Sequence, residues 1–420
     1  MSEPRSRMPA RVWHAVVWAA AALLVLVWVA GNDGTTTGAL GGAPTSAAVI
    51  TGGNGHQAQA AAAVSLLDAA LTAADRDDRL TGASRQARSW ATMVQRNLSV
   101  LGVEEVSLRF LDMSASPGRS AEGGFVGEVE VRWTPEDDSE TLPIVVPLRF
   151  DASGFPVDVA NSTPAADPLP VWLAGRLRVV PERGVELIGV GHKPHLDRLR
   201  LMVARAARDV RAALPIRPQV VSVVVPPDAE TANGLLGSAT EDLARIAAVT
   251  ASVDGSDSRN APVQVVLNAP VFDALGGRAA KFVLVHEMTH ATTGATTSAM
   301  PLWVVEGFAD YVALRATPLP VNAAAGQILA RVDRAGPPHR LPTPADFASE
   351  APGLGQAYEA AWLAFRMLAH RYGNTATVGF YLRIRDGASL RRSLGVLGLN
   401  PTSLAAGWRD YLRDLAAASS

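Results

Sequence analysis

Phe282-Val283-Leu284-Val285-His286-Glu287-Met288-Thr289-His290, followed after one loop by Pro301-Leu302-Trp303-Val304-Val305-Glu306-Gly307-Phe308-Ala309-Asp310-Tyr311, decides how this chain is read. The apolar residues before His286 point to a buried helix, and histidine and glutamate are costly to bury unless something pairs them. On a helix, His286 and His290 share one face one turn apart, so a single ion can bridge their imidazoles. Glu287 is turned by ~100° from His286 and stands beside that ion rather than on it, where it can accept a proton from an attacking water.

A catalytic zinc takes three protein ligands and keeps one position open. A third histidine six residues beyond His290, in the extended form of the motif, would require glycine at 293 and histidine at 296; both positions are threonine, Thr293 and Thr296. A glutamate from a following helix is the arrangement that remains, and the second segment supplies Glu306. Pro301 suits the first position of that helix, and residues 293–299 are enough to turn the chain back. Gly307 and Ala309 are small and would let this helix approach the first closely, despite the helix-propensity cost of glycine. Asp310, one turn after Glu306, is placed to accept the second N–H of a ligand histidine, His286 first, fixing its tautomer and raising its basicity. Two imidazoles and a carboxylate with an open position suit Zn2+, although other first-row ions accept the same ligands.

Composition narrows the alternatives. The chain has 420 residues, 48% hydrophobic and 19% charged, which suits a globular protein of two or three domains. Its 38 basic and 40 acidic residues leave a net charge of -2 without a basic face, so nucleic acid is not an expected partner. Cysteine is absent, which excludes a disulfide framework, a thiol nucleophile and thiolate ligands to a metal.

Val12 to Ala30 is an apolar run of about the ~20 residues that cross a bilayer, interrupted only by His14. Arg5, Arg7 and Arg11 precede it, which places residues 1–11 in the cytoplasm and the rest outside. Trp28 stands where signal-peptide cleavage after Ala30 needs a small residue, so residues 12–30 read as a retained transmembrane helix with the lipid bilayer as partner. Residues 31–60 are rich in Gly, Thr, Ala and Ser and read as a flexible linker.

The expected fold class is α+β. Residues 61–165 read as Ala-rich helices, Ser89 to Leu101 the clearer, followed by strands at Val106–Leu111, Phe125–Trp133 and Leu142–Phe150, the middle one alternating most plainly. This pattern resembles the cone-shaped domains related to nuclear transport factor 2. Prolines 164, 168 and 170 mark a boundary. Residues 171–420 then carry strands at Val185–Val190, Val220–Val225 and Val263–Asn268, a helix from Leu196 to Leu214 and, after the metal motif, mainly helices, Ala357–Tyr372 among them.

The two quoted segments resemble the gluzincin zinc metallopeptidases, in particular the peptidase MA-like group. The likeness extends over about residues 180–415 and includes Ala357-Tyr358-Glu359-Ala360-Ala361-Trp362-Leu363-Ala364, which looks like that group's downstream helix. It implies a mainly helical zincin-type domain with a small sheet, one Zn2+ on His286, His290 and Glu306, Glu287 as general base, and Asp310 behind His286. It further implies an oxyanion-stabilising tyrosine or histidine from the C-terminal part. Tyr358 is the first candidate, with His339 and Tyr311 as alternatives; a tyrosine on an amphipathic helix also serves as ordinary core. No Gly-x-Met-Glu-Asn segment of the related aminopeptidases occurs, which favours an endopeptidase acting on a peptide or protein.

Strand Val263–Asn268 is expected either as the sheet edge that receives an extended substrate or as an internal strand. His192 and His195, near Asp197, read as a solvated helix start or a second metal site. The competing function is a membrane-anchored binding or scaffold protein that holds metal without turnover. Glu287 argues against it, because a structural zinc site closes its fourth position and has no use for a base. A further reading makes residues 61–165 the ligand-recognising unit.

Overall fold

The structure, a computed structural model, describes residues 53–71, 80–103, 105–113, 124–134, 141–160, 167–191, 196–216, 220–237, 246–258, 260–348 and 351–419. The expected tail and transmembrane helix, most of the linker, and His192 and His195 lie outside these residues. Among the described residues no helix is long and apolar enough to cross a membrane. The end of the expected linker is helical: helix α1 begins at Gly53 and runs to Leu71. Gln57 donates to Asp112 and Gln59 to the main chain of Ser153, which ties this first turn to the sheet beneath it.

Helix α2 (Arg85–Val100) starts where Ser84 caps it, its hydroxyl accepting the N–H of Ala87 at 3.1 Å. Ala87, Trp90, Ala91, Val94 and Leu98 form its buried stripe at helical spacing. Strands β1 (Glu105–Met113), β2 (Phe125–Thr134), β3 (Ile144–Phe150) and β4 (Pro156–Val159) form an antiparallel meander in sequence order. In β2 the expected alternation is present, with Val129, Val131 and Trp133 buried and Glu128 and Arg132 exposed.

The second sheet contains β5 (Leu177–Glu182), β6 (Val185–Val190), β7 (Val221–Val225), β8 (Ala248–Ser252) and β9 (Val263–Leu267) in the order β5-β6-β7-β9-β8. Strands β6, β7 and β9 are parallel, and the antiparallel β5 and β8 close the two edges. Strand β9 is therefore internal, and the edge beside it is β8, an Ala-rich segment whose strand character the sequence reading missed. Helices α3 (Leu196–Ala213) and α4 (Ala229–Leu236) belong to the connections between these strands.

This sheet is the middle layer. Leu187, Val223, Val265 and Leu267 face the helices that follow, whereas Ile188, Val224, Val249, Ala251 and Val266 share an apolar core with α1, α2 and the first sheet. Asn97 fastens the two parts. It is fully buried, its amide donating to the carbonyls of Trp172 (3.0 Å) and Gly175 (2.7 Å) and its oxygen accepting the N–H of Leu177 (3.0 Å). Every polar atom of that side chain has a partner, as a buried amide requires.

The C-terminal part comprises α5 (Ala269–Ala274), α6 (Gly277–Thr293), α7 (Leu302–Ala316), α8 (Val321–Ala324), α9 (Gly326–Ala335), α10 (Leu354–Arg385, broken at Gly373 where φ is 81°), α11 (Leu390–Gly395) and α12 (Pro401–Ala417). Glu359, buried in α10, receives the N–H of Ile328 at 2.6 Å and so holds the start of α9. Burial pushes its carboxyl up to about 8, against the main-chain hydrogen bonds from Ile328 and Gln327. The folded chain thus keeps a proton that the unfolded chain releases near pH ~4.3. Its contribution is fully present below that value and is lost as pH rises through about 8. Between pH 5 and pH 7 the native chain should lose about 3 kcal/mol through this group, a loss that Glu359→Gln escapes. Urea midpoints of both proteins at the two pH values check this, and parallel profiles would contradict it.

Candidate metal centre

Helix α6 is buried without interruption from Phe282 to Thr293, so it runs through the core rather than along a surface. Its threonines are compatible with that burial because Thr289, Thr292 and Thr293 return their hydroxyls to the carbonyls one turn back, at 2.7, 2.6 and 2.7 Å. Gly294, at φ 62°, ends the helix in the left-handed conformation that glycine adopts without strain. Pro301 lies just before the first turn of α7, at the cap rather than inside the helix as expected, and its carbonyl accepts the N–H groups of Val304 and Val305.

The close approach that Gly307 permits is to α10, not to α6. A Cβ at this position would stand 2.6 Å from the carbonyl oxygen of Ala361. Helix α7 is consequently wedged between α6 and α10, and three of its turns are wholly buried. That position directs Glu306 and Asp310 towards the histidines.

His286 Nε2 lies 2.9 Å from His290 Nε2 and 3.3 Å from Glu306 Oε2, and His290 Nε2 lies 3.6 Å from the same oxygen. All three residues are buried. Ligands about 2.0–2.2 Å from a tetrahedral ion are about 3.3 Å from one another, and the separations here bracket that spacing. On the other side of the ring, His286 Nδ1 is 2.9 Å from Asp310 Oδ1. Assigning the ring proton to Nδ1, where a carboxylate accepts it, leaves Nε2 bare. A proton on His290 can bridge the two nitrogens, but Glu306 Oε2 remains buried without a hydrogen bond among the described residues. A cation among the three atoms satisfies them all, so the donor set fits a divalent metal such as zinc.

The electrostatics agree. Burial works to lower the His286 pKa, yet the hydrogen bond to Asp310 and the close approach of the Glu306 carboxylate raise it well above the ordinary histidine value. Burial also works to raise the Glu306 carboxyl, but the charge of His290 and the contacts with both histidines hold it down at about 2. Both shifts favour positive charge on the histidines beside an ionised Glu306.

Glu287 lies outside the donor set. Thr250 Oγ1 on β8 is 2.7 Å from its Oε2, while Oε1 is buried and has no hydrogen-bond partner among the described residues. Burial raises this carboxyl above the usual range, against the opposing charges of His286 and His290. Sequence reading did not find Thr250. The only available signal was the short alternation around Val249 and Ala251, which says nothing about which helix the strand would face.

Tyr358 is fully buried on α10, its ring edge-on to Phe347 and its hydroxyl without a partner among the described residues. Burial, then the neighbouring carboxylates of Glu306, Asp310 and Glu287, raise its pKa well above 10, so the hydroxyl keeps its proton. The two alternatives are otherwise engaged: Tyr311 donates to Asn374 Oδ1 at 2.5 Å and meets Arg315, and His339 is exposed, with Arg409 on its carbonyl. Tyr381, which the sequence reading did not single out, stacks on Phe308 and bonds Thr293 Oγ1, and so acts as a strut between α6 and α10.

Two histidines one helical turn apart, a carboxylate from the next helix and a further buried carboxylate outside that donor set define a candidate metal centre. No protein-family model and no curated protein matches the chain. Solved structures that are similar include an M1 zinc metallopeptidase from Deinococcus radiodurans, at 14% identity and a TM-score of 0.36 over 73% of this chain and 60% of that one. A variant of that enzyme bound to a Tyr-Ser-Ala substrate matches at 15% identity and a TM-score of 0.35, over 73% of this chain and 61% of that one. A two-domain M1 zinc metallopeptidase variant bound to L-tryptophan matches at 14% and 0.34, over 73% and 60%. The chain spans about three fifths of the length of these enzymes.

Proposed function

We propose that this chain is a zinc-dependent peptidase, an endopeptidase whose catalytic part is tethered outside the membrane by residues 12–30. The observation that carries the reading is Glu287 Oε1, a buried carboxylate oxygen without a partner among the described residues, beside three converging metal donors. A structural metal site has no role for such an atom.

His286, His290 and Glu306 would hold the zinc, and Asp310 keeps His286 in the tautomer that presents Nε2. When bound, zinc supplies Lewis-acid polarisation of a scissile carbonyl and acidifies water. Glu287 takes the proton of the attacking water on Oε1 and passes it to the leaving amine. The Tyr358 hydroxyl, protonated and unpartnered, is the donor for charge developing on the carbonyl oxygen. An extended peptide pairs along the edge strand β8, the role the sequence reading had offered to Val263–Asn268. The tether rests on the apolar run and its arginine flank.

Zinc analysis of the full chain together with a peptide-library assay tests the proposal. About one zinc per chain and cleavage within peptides, abolished by a chelator, is the expected result. Stoichiometric zinc without cleavage of any peptide would favour the silent scaffold instead. Glu306→Ala should lose most of the metal, and full occupancy in that variant would show that the third ligand is another residue.

A further inference from the structure

We infer that Thr250 is a positioning residue for Glu287: its hydroxyl fixes Oε2 of the carboxylate and leaves Oε1 as the atom that accepts the proton. The inference rests on the peptidase reading for its chemistry but on separate contacts for its geometry. Thr250 Oγ1 is 2.7 Å from Glu287 Oε2 and 3.0 Å from the main-chain oxygen of the same residue. A hydroxyl has one proton for these two acceptors. The main-chain oxygen lies inside α6, where the N–H of Ala291 supplies its helical hydrogen bond. The carboxylate oxygen is nearer and can carry charge, so the proton goes to Oε2. With one oxygen held, the side chain cannot exchange its two oxygens by rotation, and Oε1 keeps a fixed aim.

The location of Thr250 gives this contact a further consequence. Val253 donates to Pro262 and Asn268 to Ala247, both at 2.9 Å, so the odd-numbered residues of β8 are those that exchange hydrogen bonds with β9. The main-chain groups of Ala248, Thr250 and Ser252 therefore point to the unpaired side of the sheet. Thr250 presents its main chain where an extended substrate would pair and its side chain to the base. Substrate docking and alignment of Glu287 thus meet in one residue.

The test compares Thr250→Val, which keeps the branched shape that strands favour, with Thr250→Ser, which keeps the hydroxyl. Thr250→Val should retain the zinc of the parent and lower kcat by about 10- to 100-fold with KM within about twofold, because the base is present but misaligned. Thr250→Ser should recover kcat to within about threefold of the parent. Unchanged kcat in Thr250→Val, or Thr250→Ser falling as far as Thr250→Val, would overturn the inference. A parent that cleaves no peptide would defeat the peptidase reading instead, and the contact is then judged by urea midpoints. The shift caused by Thr250→Val should shrink by more than about half in a Glu287→Ala background, since partners in one hydrogen bond are not additive. Equal shifts in the two backgrounds would overturn it.

Discussion

Glu287→Gln should keep about one zinc per chain and lose peptide cleavage by about a thousandfold or more, the upper part of the range for removal of a general base. Glutamine has almost the shape of glutamate, and its oxygen can still accept the Thr250 hydroxyl. What changes is the other terminal atom. An NH2 group replaces Oε1, presenting a donor where the reaction needs an acceptor, and it has no affinity for the proton of an attacking water. Metal content should not follow activity, because the converging donors are His286, His290 and Glu306. Metal analysis and a cleavage assay on the same preparation separate the two effects. A variant that retained a tenth of the parent's rate would place the base elsewhere; one that lost its zinc would make Glu287 a ligand.

Gly307→Ala should destabilise the fold by about 2–3 kcal/mol, the range for overpacking a tight core. In an exposed helix the same change stabilises by roughly 0.5–1 kcal/mol, because alanine restricts the unfolded chain. Here the added Cβ would lie 2.6 Å from the oxygen and 2.7 Å from the carbon of the Ala361 carbonyl, so steric repulsion exceeds the propensity gain. These are backbone atoms, and no side-chain rotation relieves the contact. Helix α7 would have to move away from α10 and take Glu306, the preceding residue, with it. Zinc affinity should therefore fall by about tenfold, as when a ligand loses its support. Thermal unfolding and competition with a chelator measure the two effects, and a variant as stable as the parent with unchanged affinity would contradict the wedge.

Much of the centre was legible because its logic is local. The spacing of His286 and His290 puts them on one helical face whatever surrounds the helix, and the offset of Glu287 follows from the same period. Glu306 and Asp310 repeat that spacing on the next helix. The alternation of Val129, Val131 and Trp133 likewise announced β2, because the side-chain period of a strand does not depend on its neighbours.

What was missed depends on strand order and helix crossing. Segment 248–252 is short and rich in alanine, so its periodicity carries little information, and no local pattern reveals that β9 lies inside the sheet with β8 outside. The partner of Gly307 was assigned to α6 because the sequence brings those helices together first; the tight contact came from a helix that starts some fifty residues later. The contact of Glu359 with the start of α9 likewise has no local signature, because it joins α10 to main-chain N–H groups some thirty residues earlier.

The sequence by itself determined the three candidate metal donors, the proposed base beside them and the α+β class, because each is written in residue type and short-range period. The tertiary structure alone decided which strands lie at the edges of the sheet, which hydroxyl meets Glu287 and which helix α7 must touch. Those contacts join residues tens of positions apart, and only the packing of one shared core selects them.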